Sequence, residues 1–287
     1  VLFYFLFLSL KDLGGYSLIN ETYLLINKVR DKKPLIHHIT NYVTVNDCAN
    51  ITLAIGASPV MADSSDEVED IVSISSALLL NMGTLHFRTI YSMKKAGKKA
   101  NSLRIPIVLD PVGVGASRLR NDTALQLVEE LNIDVLRGNI SEIKYFAHLH
   151  SGTKGVDAAE EDTNNLDAAI AVAKKVALKL KCVVAITGAI DIVSDGEQVI
   201  CIKNGHPMLS NLTGTGCMCS SLIASFCGVN PRHPFEATVA ALLTMGIAGE
   251  IAYEAAGHLG NGSFHMALHD AVSRMNAEIL EQRASFL

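Results

Sequence analysis

The chain has 287 residues, 49% of them hydrophobic and 18% charged, with a formal charge of −5 and a mean hydropathy of +0.29, enough apolar material for one large α/β core with strands buried on both faces or an apolar subunit interface. Lys and Arg are scattered rather than gathered in a basic stripe, which argues against a nucleic-acid partner and for small-molecule chemistry. The six cysteines (48, 182, 201, 217, 219 and 227) contain no C-x-x-C pair, which argues against a cysteine metal site or a disulfide framework and suits a reduced, cytoplasmic enzyme.

Residues 1–8 are uniformly apolar but too few to span a bilayer, and residues 1–16 are expected to lie outside the fold as a tail or a partial targeting segment. A single domain is expected over 17–287, with no separate lid and no membrane partner. Apolar positions at Leu18, Leu25 and Val29 predict a helix over 17–29, stopped by Pro34. Residues 35–39 read as a strand ending in H-H-I-T-N-Y, 46–55 as a helix closed by Gly56, and 58–61 as a short extended piece. A helix over 67–75 carries acidic residues in its first turn, as the dipole prefers, and the buried strand 77–80 runs into N-M-G-T-L. A basic helix over 87–100 precedes a strand over 106–109, which enters D-P-V-G-V-G. A helix near 121–131, a strand at 134–136 and a helix over 140–148 entered through R-G-N come next. The acidic, polar stretch 151–165 reads as a surface loop, followed by a helix over 166–180 and a strand over 183–186 ending in T-G. Residues 191–193 and 198–202 read as a β-hairpin around Asp195-Gly196. The last third is helical: one helix after Gly216, one through 237–256 and one through 264–279. The uncharged part of the second, 237–249, is too short to span a membrane and reads as a packed core helix.

Strands separated by helices imply right-handed crossovers and a mostly parallel central sheet with helices on both faces. Ligands of such a sheet bind beyond the carboxyl ends of its strands. Polar and glycine residues follow strand after strand: Thr40-Asn41, Asn81-Met82-Gly83-Thr84, Asp110-Pro111-Val112-Gly113, Arg137-Gly138-Asn139 and Thr187-Gly188. The run Thr213-Gly214-Thr215-Gly216-Cys217 is expected to open a helix whose free N–H groups and dipole stabilise an anion such as a phosphoryl group. That field would favour the Cys217 thiolate, so the position suits a nucleophile, a base or a small core residue. Asp110 and Glu142 could hold Mg2+ against phosphate oxygens; equally, Asp110 could be a turn residue before Pro111, and Glu142 a first-turn helix carboxylate. Arg137 suits a phosphate fork or a structural ion pair, and Asn139 a helix cap. Met61 and the pair His37-His38 read as core residues as readily as ligand contacts. The sequence contains neither G-x-x-x-x-G-K-[ST] nor G-x-G-x-x-G, so a Walker-type nucleotidase and a dinucleotide oxidoreductase both lose support.

Within R-G-N-I-S-E, the pair Asn139 and Glu142 resembles the N-x-x-E magnesium and phosphate motif of the ribokinase-like superfamily, and G-T-G-C stands where that superfamily has G-x-G-D. The blocks P-L-I-H-H-I-T-N-Y-V, G-A-S-P-V-M-A, L-N-M-G-T-L, D-P-V-G-V-G-A-S, R-G-N-x-x-E, A-I-T-G and T-G-T-G-C, in this order from Pro34 to Cys217, resemble those of the hydroxyethylthiazole kinase family of thiamine salvage. The resemblance implies a ribokinase-like fold and ATP-dependent phosphorylation of the hydroxyl of 4-methyl-5-(2-hydroxyethyl)thiazole. It implies that Met61, Asn41 and Gly214 contact the thiazole alcohol and that Arg137 and Thr187 bind ATP. Asp110 and Glu142 would organise Mg2+, while Gly214, Gly216 and Cys217 would form the catalytic helix start facing the hydroxyl. It further implies a homotrimer with thiazole pockets between subunits. The chain departs from the family pattern at His37-His38, where H-C-I-T-N is common, and in the longer acidic loop 151–165. The rival readings are another small-alcohol kinase of this fold, of hydroxymethylpyrimidine or vitamin B6 type, and a hydrolase or acyltransferase using Cys217 as nucleophile.

Overall fold

The computed structural model describes residues 15–147 and 165–287. Residues 1–14 and the stretch 148–164, which holds most of the expected acidic loop, lie outside the described residues. Eight strands form one sheet in the order β2-β1-β3-β4-β5-β6-β7-β8. They are β1 (Leu35–Ile39), β2 (Ser58–Val60), β3 (Ala77–Asn81), β4 (Ile107–Asp110), β5 (Val135–Gly138), β6 (Val183–Ile186), β7 (Asp191–Ser194) and β8 (Val199–Ile202). The first six pair in parallel, as helical crossovers require, and the hairpin β7–β8 closes the far edge antiparallel. Its turn uses Gly196 at φ +102°, with Asp195 Oδ1 accepting the N–H groups of Glu197 and Gln198 at 2.9 and 2.7 Å.

Two apolar layers sandwich the sheet. Alternate strand residues Ile36, Leu79, Val108, Val135 and Val193 pack with helices α1 (Gly15–Lys32), α2 (Val45–Ile55), α8 (Thr215–Val229), α9 (Pro234–Ala256), α10 (Asn261–Arg274) and α11 (Ala277–Arg283). Their sequence neighbours Leu78, Leu80, Leu109, Leu136 and Ile192 belong to the layer with α3 (Val68–Ile74), α4 (Phe87–Leu103), α5 (Arg118–Glu130), α6 (Ile140–Ala147) and α7 (Leu166–Leu180). The period-2 alternation of side chains across a strand produces this division. Helices α8 and α9 are apolar nearly all round and accordingly buried nearly all round.

Three local expectations are corrected. The helix through 237–256 begins at Pro234, and the segment Pro234–Leu259 is long and apolar enough by composition to cross a membrane, but 83% of its apolar window is buried inside the protein; the length argument fails and the core assignment stands on burial. The helix expected over 264–279 is two helices, because the Asn276 side chain accepts the Ile279 N–H at 2.8 Å and starts α11 afresh. Helix α5 begins at Arg118 rather than near 121, capped by Ser117.

Candidate functional site

The carboxyl ends of the parallel strands carry, in sheet order, Met61 after β2, Asn41 after β1, Asn81 in β3, Asp110 in β4, Arg137 in β5 and Thr187 after β6. With neighbouring strands about 4.8 Å apart, this rim is about 24 Å long, enough for a small alcohol at one end and a nucleotide at the other. Helix α8 starts above its middle. Gly214 caps that helix in the left-handed region, φ 90°, and packs so closely that a Cβ there would stand 2.6 Å from Thr44 Cγ2; both facts require glycine. Gly216, in the first turn, lies against the Arg137 guanidinium, 2.6 Å from Nη1 to a Cβ placed on it. The first-turn N–H groups, which a helix cannot bond internally, are thereby set beside a partly buried cation.

A continuous chain of polar contacts joins these residues. Asn41 Nδ2 donates to Asn81 Oδ1 at 2.9 Å and to Cys217 Sγ at 3.4 Å, and Asn81 Nδ2 donates to Cys217 Sγ at 3.3 Å and to Asp110 Oδ2 at 3.0 Å. The same Asp110 oxygen accepts Ser220 Oγ–H at 2.7 Å and the Arg137 guanidinium at 3.4 Å, while the other arm of that guanidinium donates to Thr187 Oγ1. Asn41 is itself fixed by the Thr44 N–H and hydroxyl, both 3.1 Å from its Oδ1. Asp110 is fully buried and its Oδ1 has no hydrogen-bond partner.

Glu142 makes a reciprocal N-terminal cap with Asn139: Glu142 N–H donates to Asn139 Oδ1 at 2.9 Å, and Glu142 Oε2 accepts the Asn139 N–H at 2.8 Å. Its second oxygen accepts the Gly113 N–H at 2.8 Å, tying the loop after β4 to the start of α6. Glu142 is thus a first-turn helix carboxylate, and its charge is felt at Asp110. A hard divalent cation takes carboxylate oxygens and dislikes nitrogen or sulfur. The orphaned Asp110 Oδ1 and the remaining lone pairs of Glu142 supply that kind of donor, so the residues present fit Mg2+.

Burial pushes the Asp110 carboxyl above the ordinary range, with Arg137 and Ser220 pulling it partly back. Burial alone would lower the Arg137 guanidinium, but Asp110 holds it charged. The Cys217 thiol is pushed up by burial and by Asp110, against the amides of Asn81 and Asn41. Burial and the neighbouring carboxylate therefore oppose the helix-start field that favours the thiolate. A hydrolase that uses Cys217 as nucleophile loses support. His37 and His38 are core histidines. Burial drives His38 down to about 4, and it bonds Ile36 O through Nδ1 at 3.0 Å and meets Thr52 Oγ1 at 3.4 Å.

Of the expected site residues, Asn41, Asp110, Arg137, Thr187 and Cys217 join one network, Gly214 and Gly216 shape it, Glu142 adjoins it, and Met61 stands half-buried after the edge strand next to β1. Sequence reasoning undervalued Asn81, which bridges Cys217 and Asp110, and missed Ser220, whose signal was its i+3 spacing from Cys217 on an otherwise apolar helix. It also missed Arg120. That guanidinium donates to Met82 O and Val112 O, each at 2.5 Å, and to Gly83 O at 2.8 Å, clamping the loops after β3 and β4 together.

A family model described as hydroxyethylthiazole kinase family matches residues 26–278. A hydroxyethylthiazole kinase of Ruminiclostridium cellulolyticum is 60% identical over 260 residues, 91% of this chain and 94% of that protein. A solved structure of a hydroxyethylthiazole kinase protein from Pyrococcus horikoshii superposes with a TM-score of 0.84 at 39% identity, covering 93% of this chain and 98% of the other. A ribokinase-like superfamily protein from Enterococcus faecalis, 13% identical, shares the fold with a TM-score of 0.58 over 92% of this chain and 84% of its own.

Proposed function

The chain belongs to the hydroxyethylthiazole kinase family, and from that premise we propose how its residues transfer the γ-phosphoryl group of ATP to the hydroxyl of 4-methyl-5-(2-hydroxyethyl)thiazole, in thiamine salvage. The observation that carries the reading is the unbroken contact chain from Asn41 and Cys217 through Asn81 and Asp110 to Arg137 and Thr187, lying across the start of α8. The thiazole alcohol takes the end of the rim near Met61, Asn41 and Gly214. ATP takes the end near Arg137 and Thr187.

Phosphoryl transfer needs little covalent help, so positioning and charge supply most of the rate. Arg137, held between Asp110 and Thr187, presents a preorganised guanidinium to the phosphates, and the first-turn N–H groups of α8 receive the charge of the group in flight. Cys217, kept as a thiol and oriented by two amides, shapes the hydroxyl's place rather than abstracting its proton early. Asp110 and Glu142 would hold Mg2+, which when bound neutralises phosphate charge.

The active form is read as a homotrimer with thiazole pockets between subunits. In support, Tyr42 and Val43 after β1 and Phe87 at the start of α4 are 76%, 58% and 84% exposed, and the loops leading to them are joined by the Tyr42 N–H to Thr84 Oγ1 bond of 3.3 Å, an apolar edge at the thiazole end. Residues 17–287 are taken as one kinase unit. Its place is the cytoplasm, consistent with six free, buried cysteines.

ADP release, measured with the thiazole alcohol, with hydroxymethylpyrimidine, with pyridoxal and with no acceptor, tests the reading. The thiazole alcohol is expected to give the highest kcat/KM; faster turnover of either other alcohol would transfer the chain to that substrate class.

A further inference from the structure

Next to the cap of α8, three side chains gather where α2 meets α10. Asp47 stands in the first turn of α2, and His265 and His269 stand one turn apart on α10. Their potential ligand atoms all lie within 4.8 Å of one another. We propose that Asp47, His265 and His269 form a binding site for a borderline divalent transition-metal ion of the Zn2+, Co2+ or Ni2+ class, separate from the Mg2+ of phosphoryl transfer.

The donor set selects the class. Two imidazole nitrogens with one carboxylate oxygen suit these ions, whereas Mg2+ prefers oxygen alone. Histidines at i and i+4 project from the same helix face. His265 Nε2 is 3.2 Å from Asp47 Oδ1, and two ligands each about 2.05 Å from Zn2+ at a tetrahedral angle stand about 3.3 Å apart. The third ligand is already oriented. His269 Nδ1 is 3.1 Å from the His265 carbonyl oxygen, and a carbonyl can only accept, so Nδ1 carries the proton and Nε2 offers its lone pair. A ring nitrogen hydrogen-bonded to a backbone carbonyl in this way is the usual support of a metal-binding imidazole.

Ordinary structural roles leave part of this unexplained. A first-turn carboxylate on α2 complements the helix dipole, but that role calls for no histidine. The contact between Asp47 and His265 is close without being aligned as a hydrogen bond, so His265 Nε2 and His269 Nε2 are both buried with no hydrogen-bond partner. Two orphaned nitrogens beside a carboxylate are costly unless something binds them. A metal ion with a water in the fourth position satisfies all three groups. It would pin α2 to α10 next to the cap of α8, since Asp47 Oδ2 is 3.8 Å from a Cβ placed on Gly214.

The test uses the full chain, freed of metal by a chelator and held in saturating Mg2+ so that the phosphate site is covered. Titration with Co2+ should produce the visible ligand-field bands of a low-coordinate site, and X-ray absorption of the Zn2+ form should show imidazole nitrogen with no sulfur. His269→Ala and Asp47→Asn, checked for fold by circular dichroism, should each weaken the apparent Zn2+ Kd by at least about 100-fold, since losing a ligand should cost at least as much as losing its hydrogen-bond support. Zn2+ should raise the Tm of the wild-type chain and not of these variants. Absence of the bands, sulfur in the metal shell, or an unchanged Kd in folded His269→Ala would overturn the proposal. The wild-type spectra decide it even if a variant does not fold.

Discussion

Replacing Gly216 with Ala should test the role of Arg137, because the added methyl reaches the guanidinium. Gly216 sits in the first turn of α8 without a positive φ, so alanine fits its backbone and should stabilise the helix by up to ~1 kcal/mol. The added methyl would stand 2.6 Å from Nη1 and 2.8 Å from Nη2 of Arg137. It meets the far end of a long side chain, so the structure yields by moving the guanidinium, and the loss of its partners costs stability that opposes the helix gain. That movement breaks the contacts to Asp110 and Thr187 that aim Arg137 at the phosphates. A charge-assisted hydrogen bond contributes about 1.5–3 kcal/mol, so KM for ATP should rise about 10- to 150-fold. KM for the thiazole alcohol should change little, since Asn41 and Met61 lie on the other side of the network. Thermal unfolding and ADP release over an ATP series measure both arms. An unchanged KM for ATP together with an unchanged or raised Tm would refute the assignment of Arg137.

Glu142→Gln should lower turnover and blunt the response to added Mg2+ while leaving thiazole binding nearly intact; weakening the reciprocal cap should also cost about 1 kcal/mol in urea unfolding. Equal Mg2+ titrations in both proteins would remove Glu142 from the metal site. Cys217→Ala should slow but not abolish turnover, and intact-protein mass should show no adduct on the wild-type thiol during turnover; Cys217→Asp should preserve or raise turnover, and a folded, inactive Cys217→Asp would mean that the thiol's size matters more than its proton affinity. His38 is driven from an ordinary value near 6.5 down to about 4, so the unfolded chain binds the extra proton between those values and stability must fall as pH drops through that window, by about 2 kcal/mol between pH 7 and about pH 5. Asp191, pushed up to about 7 by burial, acts in the opposite direction there, so the comparison with His38→Cys isolates the histidine, and parallel urea midpoints for the two proteins would contradict it. If pockets form between subunits, sedimentation and assay on dilution should show activity per chain falling as the oligomer dissociates, with the thiazole alcohol opposing dissociation; a fully active monomer would end the trimer reading.

The order of strands and helices was legible in the chain because each unit carries its own local signals: Pro34 after α1, Gly56 after α2, the apolar run of β3, and Asp195-Gly196 between β7 and β8. The rim was legible for the same reason, since a parallel sheet brings every strand's carboxyl end to one side and the residues after each strand can be read off directly. Those local signals located Asn41, Asp110, Arg137, Thr187 and the Gly214 helix start.

Tertiary packing decided what local patterns do not encode. The environment of Cys217 depends on burial and on Asp110, more than a hundred residues away in the chain, both of which oppose the helix-start field that sequence reasoning weighed. Asn81, Ser220 and Arg120 join the network through partners on other elements, and the local signals at Asn81 and Ser220 do not reveal those partners. The break at Asn276 turned on one side chain finding the Ile279 N–H, a competition between cap and continued helix that periodicity leaves nearly balanced. The grouping of Asp47 with His265 and His269 is set by the packing of α2 on α10. Sequence fixes which groups a chain carries and where its strands end, whereas burial and long-range proximity set their charge and their partners, because both depend on the whole fold at once.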